Sequence, residues 1–113
     1  MKLIKAYIRP ILLEDVYRAL RREGYYCMTV FEGEDTGRYS DPDHEHGSLS
    51  FPAMHTHVVK IEIAVESQEV DAVIDIITGH GKTGHKGDGI AFVCPIEKVI
   101  RIRDGENSAS VLN

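Results

Sequence analysis

A short stretch rich in glycine and lysine, GHGKTGHKGDG at residues 79–89, has the composition of an anion-binding loop. Lys82 and Lys86 provide positive charge within it. The glycines that can adopt positive φ angles and expose successive backbone N–H groups are Gly84, Gly87 and Gly89. The spacing predicts a phosphate-binding loop, although a flexible turn beside a solvated strand explains the same pattern.

A pair of arginines follows about a dozen residues later, where Arg101 and Arg103 alternate with Ile100 and Ile102. Alternate residues of a strand point to the same face, so both guanidinium groups would leave one surface. Their forked donors fit phosphate better than isolated lysines do. We therefore predict that these arginines act together with the glycine-rich loop.

Four histidines form two His-x-His pairs in a polar stretch before residue 58, His44/His46 and His55/His57. In an extended segment each pair presents two imidazoles on one side. If the two arms approach each other, the nitrogens could enclose Zn²⁺, Cu²⁺ or Ni²⁺. A solvated polar loop, or a response to pH, explains the same histidines without a metal.

The periodicity of apolar residues indicates which elements position these groups. Alternation predicts strands, and an i, i+3, i+4 spacing predicts helices. The predicted elements are a strand at 3–9, a helix from about Leu13 to Gly24, a strand at 25–34, a strand with Val59, Ile61, Ile63 and Val65, a helix capped by Ser67 and ending at Gly79, and strands at 90–94 and 98–103. The order β-α-β, long loop, β-α-β is typical of a ferredoxin-like α+β sandwich. We expect one domain over residues 1–113 with a loop at about 35–57.

Composition excludes several classes of protein. The chain has 113 residues, of which 42% are hydrophobic and 27% charged, as in a soluble globular domain. Its net charge of −5 argues against a nucleic-acid-binding protein. No apolar run approaches the roughly 20 residues of a membrane span, and no signal peptide is evident, so we expect a cytoplasmic protein without membrane insertion. Cys27 and Cys94 are expected to be buried, unpaired thiols.

Two long stretches carry a resemblance to a known family. TGHKGDGIAFVCPIEKVIRIRDGE, residues 83–106, resembles the C-terminal signature of the PII signal-transduction (nitrogen regulatory) proteins. The opening MKLIKAYIRPILLEDVYRALRREGYYCMTV resembles the start of the same family. The resemblance implies a homotrimer that binds an adenine nucleotide (ADP, AMP or ATP) in the clefts between subunits. It also implies that the central loop docks on a membrane transporter or a metabolic enzyme.

The resemblance assigns roles by position. The residues that it implies for nucleotide binding are Met28, Thr29, Arg38, Gly87, Asp88, Gly89, Arg101 and Arg103. No combination of nucleophile, base and orienting group is evident, so we expect a signalling protein and not an enzyme. The alternative is a metal-responsive relative, linked to heavy-metal transport, that uses the four histidines.

Three positions depart from the family pattern. Ile90 stands where the family usually has a lysine that contacts phosphate, and Tyr39 stands where a glutamine helps to hold magnesium and 2-oxoglutarate. Phe51 lies in the run that carries the uridylylated tyrosine in typical members. These departures lead us to expect weakened phosphate contacts, and they argue against 2-oxoglutarate sensing and uridylylation.

We expect no synergy between ATP and 2-oxoglutarate, because Tyr39 lacks the amide that the family's ligand geometry requires. Calorimetric titration of ATP with and without 2-oxoglutarate, and the converse titration, measures this coupling. Thermodynamic coupling is reciprocal, so it must be present in both titrations or in neither. Mutual tightening of the two ligands would contradict the expectation.

Overall fold

The computed structural model describes residues 1–36 and 56–112. The strands are β1 (Lys2–Ile8), β2 (Thr29–Asp35), β3 (Thr56–Val65) and β4 (Ala91–Pro95), and the α-helices are α1 (Leu13–Arg22) and α2 (Val70–Gly81). Short 3₁₀ helices cover Pro10–Leu12, Ser67–Glu69 and Ala109–Leu112. No helix in these ranges is long and apolar enough to cross a bilayer.

The four strands form one antiparallel sheet in the order β2-β3-β1-β4. In β1, Ile4 lies opposite Ile63 of β3 and Val93 of β4, and in β2, Val30 lies opposite Ile61 of β3. This order and the β-α-β, β-α-β sequence of elements confirm the ferredoxin-like α+β sandwich that the periodicity predicted.

The hydrophobic core lies between the two helices and one face of the sheet. Alternate residues of β1 are buried, as their period of two predicts: Ile4, Ala6 and Ile8. The helical residues at 3.6-residue spacing complete the core, and the buried ones are Val16, Ala19, Leu20, Val73 and Ile77. β1 contributes three of these buried residues and is a central strand, with β3 on one side and β4 on the other.

The predicted bounds of α2 were wrong at both ends. Ser67 begins a 3₁₀ turn before the helix, and the N-cap residue of α2 is Glu69, which makes no side-chain capping hydrogen bond. Gly79 lies inside the helix, which continues to the buried Gly81. A Cβ on Gly81 would lie 3.3 Å from Ile8 Cγ2, so the helix ends where it packs closely on β1. The helix thus ends at the contact between Gly81 and Ile8, and not at Gly79.

The predicted strand at 98–103 is not formed. A turn begins at Ile102, and the backbone N–H of Arg101 donates to the carbonyl of Glu106 at 2.8 Å. Gly105 adopts a φ of +74°, which suits the turn because glycine has no Cβ. Ile102 is 99% exposed. An alternating segment forms a strand only where a neighbouring strand can pair with it. None of the four strands of the described sheet pairs with residues 98–103.

The sheet face opposite the helices remains uncovered in the described chain. Phe31 and Phe92 lie on it and are both exposed. The rings of Tyr7 and Phe92 meet edge to face with centroids 6.1 Å apart, and Lys60 Nζ lies 4.5 Å from the centre of the Phe31 ring.

The two cysteines are unpaired, as expected, but they are not buried. Cys27 is exposed and Cys94 is half-buried. Cys27 lies in the connection before the edge strand β2, and Cys94 lies on the uncovered face opposite Leu3. The expectation that both thiols are buried was therefore wrong, because neither residue lies in the core between the helices and the sheet.

Gly89→Ala should destabilise the fold by about 1–3 kcal/mol or more, the range found for overpacked sites. A Cβ on Gly89 would lie only 1.5 Å from the carbonyl oxygen of Tyr7, so the chain would have to move away from β1. The matched control is Gly79→Ala, where the added Cβ meets nothing within 4 Å in the helix interior and should stabilise by roughly 0.5–1 kcal/mol. Urea unfolding of both variants measures the difference. Equal effects of the two alanines would contradict this close contact.

Candidate functional site

The glycine-rich stretch forms a structured loop between α2 and β4. After α2, Lys82 turns to an extended conformation with φ −101° and ψ 145°. Gly84 and Gly87 adopt φ angles of +87° and +104°, which are left-handed conformations that glycine tolerates. The N–H of Asp88 donates to the carbonyl of His85 at 3.2 Å and closes a turn. We call residues 83–89 the phosphate loop, after the predicted role.

The carboxylate of Asp88 holds this loop together from the inside. Its Oδ2 accepts hydrogen bonds from the backbone N–H groups of Thr83 and Gly84, both at 2.8 Å. Its Oδ1 accepts from Thr83 Oγ1 at 2.7 Å and from Arg9 Nε at 3.0 Å. The sequence predicted an anion-binding nest of N–H groups, and part of that nest already contains an anion from the chain itself.

Asp88 stays ionised because of these donors. Burial alone would raise its pKa, since desolvation disfavours a charged carboxylate. The hydrogen bonds from the Thr83 hydroxyl, from the backbone N–H groups of Gly84 and Thr83, and from Arg9 outweigh burial. Together they hold the pKa of Asp88 well below its usual range.

Arg9 connects the loop to the end of β1. Its guanidinium donates through Nε to Asp88 and through Nη2 to the carbonyl of Lys86 at 3.1 Å. The Arg9 side chain is only 17% exposed and forms an ion pair with Asp88. Pro10 follows, and the residue before a proline is biased to the extended backbone that Arg9 adopts, with φ −64° and ψ 135°.

The return of the loop to the sheet provides a second connection to β1. The N–H of Tyr7 donates to the carbonyl of Ile90 at 2.9 Å, and Gly89 lies directly against the Tyr7 carbonyl. A cavity of about 100 Å³ lies between the loop, β1 and the end of α2. Pockets for drug-sized ligands measure about 300–1,000 Å³, so this cavity alone does not enclose a nucleotide.

Only part of the predicted site is brought together within one chain. Gly87, Asp88 and Gly89 lie in the phosphate loop, whereas Arg101 and Arg103 lie at the turn after β4. Arg101 Nη1 lies 3.0 Å from an Asp104 carboxylate oxygen, and Arg103 Nη2 lies 3.9 Å from the same oxygen. The arginine pair therefore has an acidic neighbour in its own segment, and its predicted common strand face is absent.

The remaining predicted nucleotide-binding residues lie near β2. Met28 is half-buried and packs against the core, and Thr29 is the exposed first residue of β2, opposite Glu62 of β3. Arg38 lies outside the described residues.

The histidine hypothesis can be compared with the structure at one residue. His57 Nδ1 lies 2.7 Å from Glu34 Oε1, in a cross-strand pair between β3 and β2. His44, His46 and His55 lie outside the described residues. Within residues 1–36 and 56–112, no three His, Cys, Asp or Glu side chains are grouped to hold a metal ion.

Residue-by-residue reasoning missed the contributions of Arg9 and Thr83. Arg9 is the last residue of a predicted strand, and its partner Asp88 is 79 residues away in the sequence. No local pattern reports a contact over that separation. Thr83 carried a weaker signal, because a threonine just after a helix often hydrogen-bonds within the following turn.

The comparisons with known proteins agree with this architecture. The family model described as nitrogen regulatory protein P-II matches residues 1–106. The chain belongs to the P-II family. It is 37% identical over 112 residues to the nitrogen regulatory protein P-II of Microchaete diplosiphon, covering 99% of this chain and 100% of the relative. The nitrogen regulatory protein GlnK of Escherichia coli (strain K12) is also 37% identical, with the same coverage.

A third relative, the nitrogen regulatory protein P-II of Synechocystis sp. (strain ATCC 27184 / PCC 6803 / Kazusa), is 35% identical over 112 residues, with the same coverage of both chains. The P-II family consists of regulatory signalling proteins, and the expectation that this chain is not an enzyme is confirmed at the level of the family.

Asp88→Asn should lower stability at neutral pH and lose that effect in acid. The folded-state pKa is depressed, so the ionised carboxylate stabilises the fold above the ordinary aspartate pKa of about 3.9. This contribution declines as the pH falls from there towards the folded pKa. Urea midpoints of wild type and variant should differ equally at about pH 7 and about pH 5, and by less at about pH 3.

The control is Asp75→Asn, since Asp75 is exposed on α2. Its midpoint should stay near that of the wild type at neutral pH. An Asp88→Asn difference that persists unchanged at about pH 3 would mean that the side-chain shape, and not its charge, stabilises the loop.

Proposed function

We propose that this chain is a P-II signalling protein that binds an adenine nucleotide (ADP, AMP or ATP) between the subunits of a homotrimer. In this proposal the loop at about 35–57 regulates a membrane transporter or a metabolic enzyme. The observation that carries the proposal is the preformed phosphate loop, in which Gly84 and Gly87 adopt left-handed conformations and Arg9 and Asp88 hold the backbone in place. A cytoplasmic location is part of the same proposal.

Local charge favours a phosphate ligand at this loop. Lys82 and Lys86 are both exposed beside it, and the negative charge of Asp88 is compensated by Arg9 and three further donors. Cationic side chains next to glycine-rich backbone provide charge-assisted hydrogen bonds to phosphate oxygens. The overall charge of −5 therefore does not oppose phosphate binding at this position.

The size of the cavity favours a site completed by another subunit. The space under the loop is about 100 Å³, too small for a nucleotide. Within their own segment, Arg101 donates a hydrogen bond to Asp104, and Arg103 lies 3.9 Å from the same carboxylate oxygen. In the proposal these arginines reach the phosphates from a neighbouring chain.

Exposed apolar residues favour an assembly of chains. Ile100 is 52% exposed and Ile102 is 99% exposed in the segment that carries the two arginines. Phe92 is 47% exposed on the sheet face that no helix covers. Burial of apolar area is the main driving force of association, so a face and a segment of this kind are suited to contacts between identical chains.

The metal-responsive alternative has no comparable observation in its favour. Of its four histidines only His57 is described, and its Nδ1 contacts Glu34. The hypothesis for His44, His46 and His55 stays a prediction. Titration of Zn²⁺, Cu²⁺ and Ni²⁺ into the untagged chain and into a variant with all four histidines replaced by alanine tests it.

Arg103→Ala should weaken nucleotide binding at least about tenfold, because a lost charge-assisted contact costs roughly 1.5–3 kcal/mol. Calorimetry with ATP, ADP and AMP measures this, and sedimentation measures whether the 12.6-kDa chain assembles as a trimer. Arg22→Ala, at an exposed position on α1, should leave affinity unchanged. Absence of binding at millimolar nucleotide, or an Arg103→Ala variant with wild-type affinity, would refute the proposed site.

A further inference from the structure

We propose that Arg9 is a positioning residue for phosphate recognition, which shapes the phosphate loop through Asp88 and the Lys86 carbonyl. This inference rests on the proposed nucleotide-binding function and assigns Arg9 and Asp88 a role inside the loop. Under this proposal, the Asp88 carboxylate occupies the N–H groups of Thr83 and Gly84, which a bound anion would otherwise contact. Asp88 itself does not contact the nucleotide.

Arg9 donates two hydrogen bonds to the phosphate loop. Nε donates to the side chain of Asp88 at 3.0 Å, and Nη2 donates to the backbone carbonyl of Lys86 at 3.1 Å. These two acceptors flank Gly87, whose φ is +104°. One guanidinium group therefore contacts the residue before Gly87 through its backbone carbonyl and the residue after it through its side chain.

Asp88 is negatively charged, and its carboxylate oxygens already have hydrogen-bond donors. Its carboxylate already accepts from the N–H groups of Thr83 and Gly84 and from the Thr83 hydroxyl. A phosphate at those N–H groups would have to displace a carboxylate and would meet a like charge, which is unfavourable. Phosphate recognition is therefore left to the outer part of the loop, around Lys86 and Gly87, whose shape Arg9 maintains.

The central strand β1 supports both sides of this contact. Arg9 directly follows β1, and its side chain is mostly buried. Tyr7, two residues earlier, bonds to the Ile90 carbonyl and lies against Gly89. A loop that is already ordered loses less conformational entropy when it binds a ligand. The contact therefore supports affinity by preorganisation, without touching the ligand.

The test compares Arg9→Lys and Arg9→Gln with the wild type, using ATP, ADP, AMP and adenosine as probes. Lysine keeps the charge but lacks the fork that reaches two acceptors at once. Both variants should therefore bind ATP and ADP at least about tenfold more weakly, a factor equal to roughly 1.4 kcal/mol. Adenosine has no phosphate, so its affinity should change by less than about twofold.

Two further variants separate this role from charge and from general stability. Arg18→Gln, on α1, removes an exposed arginine paired with Glu14 and should leave all four affinities unchanged. Thr83→Val removes a donor to Asp88 at an exposed site and should weaken ATP and ADP but not adenosine. Because Thr83 is exposed, this variant tests the role of Asp88 even if the Arg9 variants fold poorly.

Each outcome decides between the two ideas. If the wild type binds nucleotide and both Arg9 variants bind equally well, the inference is wrong and the proposed function stands. Wild-type affinity in Arg9→Lys alone would mean that Arg9 acts through charge and not through position. Equal weakening of ADP and adenosine would mean a general structural role. If the wild type binds no adenine nucleotide, the proposed function and this inference both fail.

Discussion

The ionised carboxylate of Asp88 is the constraint on which the candidate site depends. A partly buried charge must be compensated by hydrogen bonds, and here the compensation comes from Thr83, Gly84 and Arg9. Thr83 and Gly84 lie at the start of the loop, and Arg9 lies just after the central strand β1. The hydrogen bonds to this one carboxylate therefore hold the conformation of the loop and attach it to the sheet.

The core and the loop are connected through β1. Buried residues alternate along the strand, and Arg9, the next residue, directs its guanidinium to the loop. Gly81, at the end of α2, packs on Ile8, while Gly89 packs on Tyr7. The end of α2 and the end of the loop therefore pack against adjacent residues of β1, Ile8 and Tyr7. The buried side chains of β1 fix the strand in the core, and the polar contacts of the loop are made to this fixed strand and to the residue after it.

Periodicity predicted much of the fold because it reports which side of an element is buried. It predicted β1, α1 and β3 closely, and the glycine-lysine pattern located the loop. It failed where a partner outside the element decides the structure. The segment 98–103 alternates like a strand but has no neighbour in the described sheet. Gly79 resembles a helix stop, yet packing on β1 accompanies the actual end at Gly81. Arg9 and Asp88 meet over a sequence separation that no local pattern spans.

An internal anion changes how a glycine-rich loop should be interpreted. In sequence, an aspartate among phosphate-loop glycines resembles a ligand-binding or catalytic group. In the folded chain its oxygens are bonded to Thr83, Gly84 and Arg9, and its lowered pKa makes it a poor base. Positive charge beside the loop is carried by Lys82 and Lys86, which are both exposed. Arg101 and Arg103 lie 3.0 Å and 3.9 Å from an Asp104 carboxylate oxygen, in a segment whose Ile102 is almost fully exposed. The loop is thus held by contacts within the chain, whereas the two arginines lie in a segment that pairs with no strand of the described sheet.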